Sequence, residues 1–203
     1  MKLLLFAFLS TILFCNDSKY STTKNNSFPQ EETVPKYQKE IKYIKSISKA
    51  NAYNQNLAIM IDYSIHSGKN RFFIVDLKNE KIKKSALVCH GSCKGDNYSD
   101  FATTFSNTKN SYCSTLGMSL IGERAYSTWG SNYKFWLDGL EESNSNMRSR
   151  VVVLHSWEGV KDEETYPKPL AMSWGCPTIS LKMLDEVDEL LKTEKKVLLY
   201  SFK

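Results

Sequence analysis

Apolar and polar positions divide this chain into three stretches. Leu3 to Phe14 is a nearly unbroken apolar run of 12 residues behind Met1-Lys2, and Asn16-Asp17-Ser18 turn polar just after Cys15. Such a run is short for a membrane span, which needs about 20 apolar residues, but fits the h-region of a secretory signal over residues 1–15. Residues 16–35 are rich in Asn, Ser, Thr and Lys, carry Pro29 and Pro35, and show no apolar period. They have too little apolar surface to bury and read as a flexible linker. A folded domain is expected over 36–203.

Within that domain Tyr37, Ile41, Ile44 and Ile47 recur at helical spacing. β-type runs follow at 57–63, 71–77, 85–89, 116–121, 133–137 and 150–155, with turn signals such as His66-Ser67-Gly68-Lys69-Asn70 between them. Ser180 is a good N-cap for a helix over 181–193, where Leu181, Leu184, Val187, Leu190 and Leu191 make one apolar face. Val197–Phe202 closes the chain as a strand. Many short strands with a helix near each end predict a mainly β, α+β domain and not alternating βαβ units.

Composition narrows the partners. With 203 residues, 41% hydrophobic and 24% charged, the chain has the make-up of one domain with a real core. Its net charge of +5 is spread without a Lys/Arg block, which argues against nucleic acid. A Cys closing a short apolar run resembles a bacterial lipobox, although Phe14 stands where that pattern prefers a small residue. Lipidation of Cys15 with membrane attachment, an ordinary cleaved signal and a retained helix are the three readings. Each leads outside the cytoplasm, to the periplasm or cell envelope.

Candidate chemistry lies in two segments. Val151 to Ser156 is a hydrophobic strand ending in His155, and Ser173-Trp174-Gly175-Cys176-Pro177 presents a thiol in a turn. A lone Cys is most often an inert buried thiol and a lone His a satisfied structural one. Here Gly175 lets backbone approach a substrate closely and Pro177 fixes the exit of the turn, as a Cys–His nucleophile and base pair requires.

His155, a spacer of 17 residues and Ser173-Trp174-Gly175-Cys176 resemble the signature of the L,D-transpeptidase (YkuD-like) catalytic domain. The chain is similar to a secreted Ser-Trp-Gly-Cys-Pro subfamily through Phe101–Asn107, Ser114–Gly117, Leu137–Glu141 and Arg148–His155, in that order. Trp174 replaces the second His of the general signature, and Thr178 stands where that signature has Asn or Arg. The resemblance implies a β-sandwich with an N-terminal and a C-terminal helix. It also implies a Cys176 thioester acyl-enzyme, His155 as base, the Ser156 carbonyl holding the imidazole, and peptidoglycan stem peptides as partner. Ser173, Trp174, Gly175, His90 and Arg150 are the expected substrate contacts, although one of Arg148 and Arg150 is more readily a structural ion pair. Trp129, Tyr133 and Trp136 either flank the groove or, as aromatics in a β domain more often do, belong to the core. No cofactor or metal is implied. Hydrolysis of stem peptides or of protein–peptidoglycan links by the same residues, and a non-catalytic wall-binding domain, are the alternatives. For Cys89, Cys93 and Cys113 a disulfide ranks ahead of free thiols and of a metal site.

Overall fold

Helix α1, Gln38–Ala50, forms where the isoleucines repeat, and it buries Ile41, Ile44 and Ser48. The computed structural model describes residues 36–95 and 98–203, so the signal and linker expected over 1–15 and 16–35, with Cys15, lie outside the described residues. Eight strands follow: β1 Leu57–Asp62, β2 Phe72–Asp76, β3 Lys81–Ala86, β4 Gly117–Tyr126, β5 Tyr133–Gly139, β6 Val153–Ser156, β7 Thr178–Ile179 and β8 Leu198–Phe202. Helix α2, Leu181–Thr193, lies between the last two. The mainly β fold with one helix near each end is therefore the one found.

All eight strands belong to one sheet in the order β3-β2-β1-β8-β4-β5-β6-β7. Neighbours are antiparallel except β1 with β8 and β6 with β7. The sheet curls until its two ends meet: just past β3, Cys89 bridges Thr178 of β7, with the Cys89 amide donating to the Thr178 carbonyl at 2.9 Å. One face of every strand feeds a single interior core, including Ile59, Ile74, Ala86, Ile121, Phe135, Leu154, Ile179 and Leu199. Met183, Leu184 and Val187 of α2 pack into the same core. Helix α1 covers the opposite face, where Tyr37, Ile41 and Ile44 meet Ala58, Met60, Phe73 and Val75. β1 is therefore buried on both sides: Leu57 to Ile61 are core, and the buried Asp62 at its end accepts from the Tyr37 hydroxyl at 3.0 Å.

The run expected at 85–89 is displaced. The strand lies over Lys81–Ala86 because exposed lysines 81, 83 and 84 alternate with Ile82 and Ser85, while Leu87–Cys89 leave the ladder to close the sheet. β6 begins only at Val153, since Val151 holds φ 59°, a left-handed conformation rare for a β-branched residue. β7 is two residues long and carries no periodicity that a sequence can display. At the helix after it, Ser180 caps as expected: its Oγ accepts from the Met183 amide at 3.1 Å and donates to Asp162 Oδ1 at 2.6 Å.

Candidate active site

The central placement is made by strand register. His155 on β6 pairs with Lys134 on β5 at one side and with Thr178 on β7 at the other. Cys176 sits two residues before Thr178, in the turn that feeds β7. Cys176, His155, Lys134, Thr178, Arg150 and Trp174 all line one open cavity of about 670 Å³. Among the described residues lining it, Lys134 and Arg150 are cationic, His155 is an imidazole and none is a carboxylate.

The turn is held from within. Ser173 Oγ donates to the Cys176 carbonyl at 2.6 Å and accepts from the Gly175 amide at 3.2 Å. Gly175 has φ +106°, and a Cβ there would lie 2.7 Å from the Cys113 carbonyl oxygen. Only glycine satisfies both conditions. The carbonyl of His90 accepts from the Ser173 amide at 2.8 Å, which docks the turn onto the segment after β3.

The imidazole is half-buried and its tautomer is defined. Nδ1 lies 3.0 Å from the Ser156 carbonyl, which can only accept, so Nδ1 carries the proton and Nε2 the lone pair. Nε2 lies 3.0 Å from Thr178 Oγ1, and the Cys176 thiol donates instead to the Val151 carbonyl at 3.6 Å. Thiol and imidazole thus share the cavity without a hydrogen bond between them. Burial lowers the His155 pKa; the Ser156 contact opposes this and the Lys134 charge adds to it. Burial also raises the Cys176 pKa, against the Val153 backbone amide and the charges of Arg150 and Lys134. Both shifts oppose the charged forms of the pair.

A second thiol borders the cavity, and its surroundings differ. Cys89 is buried, and burial pushes its pKa up to about 12, with the Arg71 charge as the one opposing influence. Cys176 has an amide and two cations favouring its anion, where Cys89 has one cation.

Several expected contacts are placed differently. His90 does not line the cavity: its ring is buried, with Nδ1 2.8 Å from Arg71, and burial drops its pKa to about 3. Arg150 does line it, but its guanidinium is engaged by the Ser106 carbonyl at 2.6 Å, Ser111 Oγ at 3.1 Å and the Cys113 carbonyl at 2.7 Å. Of the aromatics, Trp129 reaches the cavity, while Tyr133 is core and bonds Asp185, and Trp136 lies under Arg148. Trp174 is 76% exposed at the rim, with its ring 5.9 Å from that of Tyr112. Cys93 and Cys113 form the disulfide and Cys89 stays free.

Sequence reasoning passed over Lys134, Tyr112, Tyr126, Trp157 and Gly130, and weighed Cys89 for a disulfide and not for the cavity it borders. Gly130 has φ +58° and abuts the Ser156 carbonyl, where a Cβ would come within 2.2 Å. The Trp-Gly pair in a turn was the available signal for it. Lys134 becomes visible only once strand register sets it beside His155.

A family model described as L,D-transpeptidase catalytic domain (YkuD_2) matches residues 30–200, most of the chain. The chain belongs to this family. Its members are enzymes acting on peptidoglycan. No curated protein matches. Among solved structures, an L,D-transpeptidase from Xylanimonas cellulosilytica is 10% identical, with 77% of this chain and 68% of that one covered and a TM-score of 0.42. Bd1075 of Bdellovibrio bacteriovorus is 14% identical, with coverage of 74% and 49% and a TM-score of 0.43. The L,D-transpeptidase of Mycobacterium smegmatis is 10% identical, with coverage of 73% and 59% and a TM-score of 0.41. The L,D-transpeptidase domain thus spans about half to two thirds of the length of these three structures.

Proposed function

We propose that this L,D-transpeptidase-family domain acts in the cell envelope as a cysteine acyltransferase on peptidoglycan stem peptides, with Cys176 as nucleophile and His155 as base. The supporting observation is that both side chains line one cavity, with the imidazole lone pair on Nε2 because the Ser156 carbonyl holds the proton on Nδ1.

In this reading the Cys176 S–H proton passes to Nε2 as sulfur bonds to the carbonyl carbon of the donor peptide. The oxyanion collects at the turn, where the Gly175 amide is already taken by Ser173 and the amides of Trp174 and Cys176 have no protein partner among the described residues. Each well-placed donor of this kind contributes roughly 3 kcal/mol to the transition state. The C–N bond then breaks, the leaving nitrogen takes the proton from Nε2, and a thioester remains. An acceptor amine attacks that thioester, gives up a proton to Nε2, and releases the thiol as the new amide forms. A cavity lined by Lys134 and Arg150 without an acid suits a substrate that carries carboxylates.

Muropeptide mass spectrometry of purified stems incubated with the protein and with Cys176→Ala tests this. New cross-linked dimers that need Cys176 are the expected product. Trimmed stems would replace transfer by hydrolysis, and an unchanged profile would refute an enzymatic role on these stems.

A further inference from the structure

The imidazole in this site has no carboxylate beside it among the described residues, yet the proposed reaction requires it to become an imidazolium. The group at hand is a hydroxyl. Thr178 is 3% exposed, and the parallel β6–β7 register fixes it directly opposite His155. Its Oγ1 lies 3.0 Å from Nε2 and 3.3 Å from the Cys176 carbonyl oxygen. A hydroxyl has one proton and can also accept. With the imidazole neutral, the Thr178 O–H points at the Nε2 lone pair. Once Nε2 is protonated, Oγ1 accepts from Nε2–H and its own proton turns to the Cys176 carbonyl.

We infer that Thr178 is a positioning residue for the catalytic imidazole, whose hydroxyl reverses its hydrogen bond when His155 takes the thiol proton. The inference rests on Cys176 and His155 being the nucleophile and base. The reversal favours the charged state, because Nε2–H···Oγ1 is charge-assisted and stronger than the bond it replaces, and because a second bond forms to the Cys176 carbonyl. With Ser156 at Nδ1, both N–H groups of the imidazolium are then satisfied inside the protein, which a buried cation needs.

The other ionisable groups around the site do not supply this. Lys134 on β5 opposes a positive imidazole. Arg150, the thiol of Cys89, Tyr112 and Tyr126 line the same cavity, with Cys89 bridged directly to Thr178, and none of them is an acid that would balance an imidazolium. On α2, the four acidic side chains are engaged elsewhere: Asp185 by Tyr133, Glu186 by Lys84, Asp188 by Arg124 and Glu189 by Lys192.

The test is the pH profile of iodoacetamide alkylation at Cys176, read by mass spectrometry on the peptide containing it, in the full-length protein. Thr178→Val is expected to slow alkylation about tenfold at about pH 7, the equivalent of one pK unit. The gap is expected to narrow as pH rises, because hydroxide then ionises the thiol without help from the imidazole. Thr178→Ser restores the wild-type profile, and Thr178→Ala serves in place of the valine variant should that fail to fold. Equal rates at neutral pH, or the same deficit at every pH, would overturn the role of Thr178. The His155→Ala profile separates the two readings: if it matches wild type, the nucleophile and base assignment itself falls, and the inference with it.

Discussion

β1 and β6 lie in the same sheet and obey different rules. β1 has six residues, all buried, with the interior core on one face and α1 on the other. β6 has four, begins after a left-handed Val151, and carries a half-buried imidazole facing an open cavity. The first is what apolar burial makes of a strand; the second keeps its inward Leu154 for packing and gives its other face to chemistry. Stability and reactivity are therefore set in different parts of one sheet, and each can be altered without the other.

Four experiments would break or sharpen that contrast. Cys176→Ala should lower turnover of stem peptides by at least about a thousandfold while leaving the melting temperature close to wild type. A large loss of stability instead would mean the turn is part of the core. Conversely, Ile59→Ala on β1 should cost about 2–5 kcal/mol in denaturant unfolding and leave the activity per folded molecule unchanged.

These two lie where the sequence was most and least informative. The helices and the strands β1, β2 and β8 could be read because an apolar period survives burial on one or both faces. Cys176 and His155 could be singled out as candidates because a rare residue type stood in a recognisable setting, and both line one cavity. Lys134, Thr178 and the true bounds of β3 could not be assigned, for they depend on which strands lie side by side, and pairing partners far apart in the chain leave no local mark. His90 misled for the related reason that a histidine before a glycine looks the same whether its ring meets a ligand or a buried arginine.

The third experiment concerns that histidine. Its folded pKa of about 3 lies below the unfolded value, so its contribution is fully present above about pH 6.5 and is lost as pH falls toward about 3. The sign follows from a neutral ring buried beside Arg71: protonation would set two cations together. Wild-type protein should lose on the order of 2 kcal/mol or more across that window, and His90→Asn should flatten the slope, as read by chemical denaturation at stepped pH. Smallest is Lys134→Met. It should raise KM for a carboxylate-bearing stem about tenfold, equivalent to about 1.4 kcal/mol, and raise it much less for the corresponding amide. Equal effects on acid and amide would count against a charge contact.

The disulfide between Cys93 and Cys113 reaches further than its position suggests. It fastens the stretch whose last carbonyl both anchors Arg150 and abuts Gly175, while Tyr112 beside it leans on Trp174. A reductant acting there would leave the Cys176 thiol chemically untouched and still slacken the frame in which it sits. Thiol-free buffers and a Cys113→Ala variant therefore belong among the first controls for any activity measured on this protein.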